Sequence, residues 1–179
     1  MSTDHARSGP LIVVMGVSGC GKSTVGEALS ARLCLPFQDA DDLHPHANLD
    51  RMSRGIPLTD DDRRPWLRAV GEELRRHRPS GLVMACSALR VAYRDALRTQ
   101  APDVFFLHLT VTRGVLAARM VTRGDHFMPL ALLDSQLDTL EPLAPHEQGL
   151  AVNATQRIDR IIGLAQSAIR GHEQQRAYA

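Results

Sequence analysis

Short apolar runs alternate along this chain with longer stretches in which apolar residues return every three or four positions. Leu11-Ile12-Val13-Val14-Met15, bounded by Gly9-Pro10 and Gly16, reads as a strand buried on both faces. Lys22 to Leu33 carries Val25, Ala28, Leu29 and Leu33 at helical spacing. Pro36-Phe37-Gln38 reads as a second strand that ends in the acidic group Asp39-Ala40-Asp41-Asp42, with a helix expected after Asp42. Thr59 with Asp62 three residues on has the form of a capping box, and with Pro65 placed in the first turn it predicts a helix running to about Arg78. Pro79-Ser80-Gly81 breaks that helix, and Leu82 to Cys86 forms a third strand. A helix over Arg90–Thr99, a strand over Val104–Leu109, helices over Arg113–Thr122 and Pro129–Leu140, a strand at Leu150–Val152 and an amphipathic helix over Arg157–Ile169 complete the pattern.

Strands that alternate with helices in this way build a parallel sheet with crossover helices on both faces, an α/β fold. No internal repeat or long linker divides the chain. The expectation is one domain over 10–171 with flexible tails at 1–9 and 172–179.

Composition narrows the partners. Lysine plus arginine (21) nearly balance aspartate plus glutamate (20) in 179 residues, so no basic surface for nucleic acid or anionic lipid is expected. The longest apolar run is Leu11–Met15, too short to cross a bilayer. Cys20, Cys34 and Cys86 cannot all pair and lack CxxC spacing, which favours a reducing cytoplasm. The chain contains a single lysine, Lys22.

That lysine stands inside Gly16-Val17-Ser18-Gly19-Cys20-Gly21-Lys22-Ser23, which matches G-x-x-x-x-G-K-[ST] between a predicted strand and a predicted helix. The glycines let successive backbone N–H groups curl toward phosphate oxygens, and the helix start adds the positive end of its dipole. Lys22 is expected at the β and γ phosphates, and the Ser23 hydroxyl on Mg²⁺, with Thr24 completing the nucleotide-binding stretch from Gly16. The fold is thus of the P-loop NTPase type.

A GTPase would need N-K-x-D and D-x-x-G; Asn153-Ala154-Thr155-Gln156 fails the first, and the second is absent. An ATPase motor would end an apolar strand in acid, whereas the third strand ends in Cys86-Ser87. The acidic cluster after the second strand faces the carboxyl-end crevice instead, where Asp41 is read as orienting an acceptor hydroxyl and taking its proton; the alternative is an acidic cap on the helix expected after Asp42. Arg119 and Arg123, four apart on one helix face before Gly124, read either as lid arginines over a transferring phosphoryl group or as solvated surface residues. The lid is expected over about 119–130. No metal-site spacing surrounds the eight histidines.

Three further blocks add to the P-loop. The first is Asp39-Ala40-Asp41-Asp42-Leu43-His44-Pro45, continuing through Asn48, Met52, Gly55, Pro57-Leu58 and Asp61-Asp62-Arg63. The second is Cys86-Ser87-Ala88-Leu89-Arg90 with Tyr93-Arg94-Asp95. The third is His126-Phe127-Met128-Pro129 with Leu133, Ser135-Gln136 and Leu140-Glu141-Pro142. Over about Ile12 to Val152 the chain resembles the gluconokinase family of P-loop carbohydrate kinases, whose fold is similar to shikimate and adenylate kinases. The resemblance implies ATP- and Mg²⁺-dependent phosphorylation of D-gluconate on its 6-hydroxyl, and a homodimer. It implies Asp41 at the acceptor hydroxyl, Asp39 as an outer partner of Mg²⁺, and His44, Arg51, Arg54, Ser87, Arg90 and Arg94 as candidates for the sugar-acid pocket. The chain departs from the family pattern at Ala40 and Asp125, where glycine is usual, and at Asn153, where aspartate is usual. Two other readings stay open: a shikimate- or nucleoside monophosphate-type kinase, and a nucleotide-binding regulatory module with little turnover.

Overall fold

A computed structural model describes residues 9–123 and 130–177. Five strands form one parallel sheet: β1 Leu11–Met15, β2 Phe37–Asp39, β3 Leu82–Ala85, β4 Phe105–Thr110 and β5 Gly149–Asn153, in the order β2-β3-β1-β4-β5. The connecting helices are α1 Lys22–Leu33, α2 His46–Ser53, α3 Asp60–Arg76, α4 Val91–Gln100, α5 Arg113–Arg123, α6 Leu130–Thr139 and α7 Ile158–Ala177.

The central strand β1 is buried at every residue because helices cover both faces of the sheet. Its alternate side chains enter two separate cores. Ile12 and Val14 join Leu29 of α1 and Ile161 and Ala165 of α7 on one face. Leu11, Val13 and Met15 join Trp66 and Val70 of α3 and Leu97 of α4 on the other. The period of two in the strand therefore fixes which helices flank which face.

The capping box at the start of α3 forms as expected: Asp62 N–H donates to Thr59 Oγ1 at 3.2 Å, and Thr59 N–H donates to Asp62 Oδ2 at 2.8 Å. Pro65 lies in the second turn of that helix rather than the first. The helix expected after Asp42 is the eight-residue α2, but it starts only at His46, after a 3-10 turn over Ala40–Leu43 that the pattern did not show. At the other end, the flexible tail expected over 172–179 is corrected for 172–177; residues 178–179 and residues 1–8 of the expected N-terminal tail lie outside the described residues. α7 continues to Ala177, with His172 buried against the Asp103 carbonyl and Arg176 paired with the Asp103 carboxylate. Those polar anchors lie beyond the apolar periodicity that marks the helix in the sequence.

No helix among the described residues is long and apolar enough to cross a membrane.

Candidate active site

The loop between β1 and α1 has the backbone that an anion cradle needs. Gly16, Gly19 and Gly21 have φ of 142°, 76° and 106°, a region that side chains disfavour. At Gly16 a Cβ would also lie 2.8 Å from Cys20 Sγ and 2.9 Å from the Leu109 carbonyl, so only glycine fits. The start of α1 has no side-chain cap and no acidic residue in its first turn. By contrast, α3 opens with a capping box and three aspartates. An uncapped helix start leaves its amides and positive dipole end for an external anion. Lys22 Nζ donates to the Val17 carbonyl at 3.2 Å across the loop.

Ser23 Oγ donates to Asp39 Oδ2 at 3.0 Å, and the other oxygen of Asp39 accepts from the Asp41 N–H at 3.1 Å. The hydroxyl and carboxylate expected at Mg²⁺ are therefore in contact. Among the described residues no group of three or more His, Cys, Asp or Glu side chains could hold a metal alone. The pair fits a Mg²⁺ ion that takes its remaining oxygens from phosphate and water.

Asp39 ends β2, and the 3-10 turn then lifts Asp41 out of strand geometry, so the two aspartates do not share a face by simple alternation. Asp41 opens onto the crevice with its side chain 68% exposed, and Asp42 is exposed beside it. Desolvation by the protein around the crevice pushes the Asp41 carboxyl above its ordinary range. Lys22 pulls the other way, while the charges of Asp39 and Asp42 reinforce the rise.

His44 is buried behind Asp41, stacked on Trp66 with ring centroids 4.4 Å apart and 9° between planes. Trp66 Nε1 donates to the Ala40 carbonyl at 2.7 Å, which ties the acidic turn to α3. Ala40 itself is fully buried in the α3-side core. Its methyl, the departure from the family's glycine, therefore fills the interior rather than the crevice. Buried Asn48 donates from Nδ2 to the Asp62 carbonyl at 2.7 Å and has His44 Nδ1 at 3.4 Å. That donor makes Nδ1 the acceptor and leaves the proton on His44 Nε2, which is 4.0 Å from Asp41 Oδ1.

Burial, with the Arg63 charge as a lesser cause, lowers the His44 pKa to about 4. The unfolded chain binds this proton near 6.5 and the folded chain only near 4, so protonation favours unfolding. Stability from this group is complete above pH 6.5, falls as pH drops toward 4, and levels off below. The span corresponds to about 3 kcal/mol. Urea denaturation at a series of pH values should show wild type losing that much more than His44→Phe, whose ring keeps the stack. Parallel losses in the two proteins would show that His44 is not buried neutral.

The arginines differ sharply. Arg94 is fully buried, and its five donors are spent. Nε and Nη2 grip Glu147 at 2.7 and 2.8 Å, and the remaining bonds go to the carbonyls of Ala88, Leu89, Glu141 and Pro142. Burial would raise the Glu147 pKa, but bonds from Arg94, the Ala144 amide and Arg98 outweigh it and hold the group at about 2. Arg94, expected in the sugar-acid pocket, is corrected to a buried brace that joins α4 to the segment after α6. Arg54 pairs with Asp50 at 3.0 Å in solvent at the end of α2. Arg90 bonds Asp60 at 2.8 Å, and Tyr93 donates to the other oxygen of Asp60 at 2.5 Å. Arg51 Nη2 lies 3.6 Å from Asp62.

Two donors in this quarter are buried and unpartnered, Arg51 Nε and Arg63 Nε. Arg63, on α3, was absent from the sequence-derived pocket candidates. Its own block, Asp61-Asp62-Arg63, was visible, but nothing in the spacing separates a pocket arginine from its surface neighbour Arg64. Ser87 sits where β3 meets the P-loop, its carbonyl 3.4 Å from the Gly16 N–H. The next residue, buried Ala88, has φ 40°, a strained backbone at the mouth of the crevice.

Arg119 reaches away from the crevice. Nη1 donates to the Cys20 carbonyl at 3.1 Å and Nη2 to the Ala154 carbonyl at 2.9 Å. It thereby lines a cleft of about 280 Å³ with Thr24, Val25, Gln156, Ile158 and Ile161. Beside it, Asn153 Oδ1 accepts from the Thr155 N–H at 2.9 Å, a turn that a carboxamide closes as well as the family's aspartate would. Residues 124–129 of the expected lid, including Asp125, lie outside the described residues, as does the side chain of Arg123.

An anion loop, an acidic crevice across from it and a parallel sheet define a P-loop kinase. The model of an AAA domain family matches residues 12–128. The gluconokinase of Gluconobacter oxydans is 44% identical over 153 residues, covering 84% of this chain and 86% of that one. A gluconokinase structure from Sinorhizobium meliloti superposes with a TM-score of 0.87 at 44% identity, covering 96% of this chain and 98% of that one. Shikimate kinase from Aquifex aeolicus, at 16% identity and a TM-score of 0.63, covering 89% of this chain and 96% of that one, is similar in fold alone. The chain belongs to the gluconokinase family.

Proposed function

We propose that this protein is an ATP-dependent kinase that transfers a phosphoryl group to the 6-hydroxyl of D-gluconate. The observation that carries the reading is the opposition of an uncapped, lysine-bearing anion loop to Asp41, a carboxylate free to face an acceptor. Family membership supplies the acceptor.

In this reading the loop from Gly16 to Thr24 holds the phosphates, and Lys22 leaves the Val17 carbonyl for the β and γ oxygens. Ser23 and Asp39 hold Mg²⁺, which neutralises phosphate charge when bound. Asp41 aligns the acceptor hydroxyl and takes its proton. His44, with Nε2–H toward Asp41, keeps that carboxylate in place without adding a charge. Arg119 forms a wall of the base cleft, a role on the nucleotide side that replaces its expected place over the transferring group. Arg123 stays a lid candidate.

The acceptor carboxylate falls to Arg63, with Arg51 beside it, because each retains a buried Nε–H that nothing on the protein satisfies. Ser87 and Arg90 form the rest of that wall, and Arg54 its outer edge. The same reading places the three free cysteines in a reducing cytoplasm and the chain in a homodimer.

A coupled assay of ADP release across D-gluconate, shikimate and AMP tests the assignment. D-gluconate should be turned over best, with 6-phosphogluconate as product. Equal turnover of shikimate or AMP would move the chain to another kinase branch, and ATP binding without any acceptor turnover would favour a regulatory module.

A further inference from the structure

One contact joins the P-loop to an element 118 residues away. The Ser18 N–H donates to Gln136 Oε1 at 2.7 Å. The same peptide unit presents its other side, the Val17 carbonyl, to Lys22 Nζ at 3.2 Å. A single peptide of the anion loop is thus held between the P-loop lysine and a glutamine of α6.

The orientation of that glutamine follows from chemistry. A backbone N–H can only donate, so the atom facing Ser18 is the carboxamide oxygen, and the two N–H donors of Nε2 point elsewhere. Among the described residues the Gln136 side chain makes no other hydrogen bond. Its position is firmly set by its surroundings. Leu133, one turn earlier, is buried in the core with Val17, Cys20 and Leu116. Asp134 takes a two-pronged bond from Arg113 at 2.7 and 2.9 Å. Just beyond α6, Glu141 N–H donates to the Leu89 carbonyl at 2.8 Å, and Arg94 holds the Glu141 and Pro142 carbonyls. A side chain anchored on both flanks is held for a purpose that packing alone would serve as well with an apolar residue.

We infer that Gln136 binds the terminal phosphate of the nucleoside triphosphate: Oε1 steadies the Val17–Ser18 peptide while Nε2 donates to the γ-phosphoryl oxygens. The ammonium of Lys22 marks the β/γ end of the cradle, and Gln136 sits on the same peptide unit. A neutral amide can contact that group without fixing an extra charge in the site, and ADP offers it no partner. The inference rests on the kinase reading above and adds a residue to it.

The test compares ATP and ADP affinity by calorimetry, without acceptor, for wild type, Gln136→Glu and Gln136→Met. Gln136→Glu keeps the oxygen facing Ser18 and replaces the donor by a negative oxygen. It should weaken ATP by about tenfold or more while leaving ADP within about twofold, the scale of one hydrogen bond to a charged group. Gln136→Met, of similar length and unable to donate or accept, should weaken ATP selectively by a smaller factor, and it carries the comparison if the acidic variant folds poorly. With gluconate, both should lower kcat with little change in the gluconate KM. Equal losses for ATP and ADP would mean Gln136 only props the loop, and no loss for either would remove it from the site; each overturns the inference. If wild type binds neither nucleotide, the kinase reading itself fails.

Discussion

Asp41→Asn should lower kcat with gluconate by about a hundred- to ten-thousandfold, the range for losing a general base, while ATP affinity measured by calorimetry stays close to wild type. The three aspartates of the turn are not equivalent. Asp39 is committed, one oxygen to Ser23 and the other to the Asp41 amide. Asp42 is exposed and stands outside both contacts. Among the described residues the Asp41 carboxylate has only His44 Nε2, at 4.0 Å, and it opens onto the crevice. Asparagine keeps its size and cannot take a proton, so positioning largely survives while the base is lost. The pH profile gives an independent check. The base works ionised, and its pKa lies above the ordinary carboxylate value, so wild-type kcat should fall as pH drops through that raised value. The limb should vanish in Asp41→Asn. Asp39→Asn should behave differently and raise the Mg²⁺ concentration needed for half-maximal rate. Near-normal kcat in Asp41→Asn, or a loss confined to ATP affinity, would return Asp41 to a helix-capping role.

The parts of this site that were legible in sequence are those built from local backbone chemistry. The P-loop announces itself because glycine spacing is the structural requirement, and the positive φ at Gly16, Gly19 and Gly21 is what that spacing encodes. The strands themselves follow from the same local logic of apolar runs between helices, whereas their order in the sheet, β2-β3-β1-β4-β5, is set by crossovers that no local run encodes. What stayed hidden depends on distance along the chain. Arg94 and Arg63 are both arginines on helices near the crevice, yet one is spent on Glu147, 53 residues on, and the other keeps a free donor. No periodicity distinguishes them, since the difference lies in partners that only the fold brings together. The turn at Ala40–Leu43 was hidden for a related reason. Its cap is the side chain of Asp39 itself, and its tertiary anchor is Trp66, 26 residues away. The end of α7 was lost because polar anchors to Asp103 take over where the apolar stripe stops.

Arg63→Gln should cut kcat/KM for gluconate by roughly thirty- to five-thousandfold, the 2 to 5 kcal/mol expected when one partner of a buried charge pair is removed. Arg63 is set into α3 with Nη2 on the Leu58 carbonyl at 3.4 Å and its guanidinium 5.7 Å from the Tyr93 ring centroid. It lies near enough to His44 to help lower its pKa. Its Nε is buried without a partner, an arrangement that costs stability unless a ligand oxygen fills it. Arg90 is less suited because Asp60 already takes one of its arms. A carboxylate matches the planar fork of a guanidinium, so Arg63→Lys should recover only part of the loss. The loss should fall mainly on the gluconate KM, because the carboxylate is bound alike in the ground and transition states. A neutral acceptor supplies the control: gluconamide has the same hydroxyls and no charge, and its turnover should be poor in wild type and little changed by Arg63→Gln. If gluconate and gluconamide suffer equally, Arg63 holds the wall of the pocket and the carboxylate is bound elsewhere, with Arg51 next in line through its own unpartnered Nε.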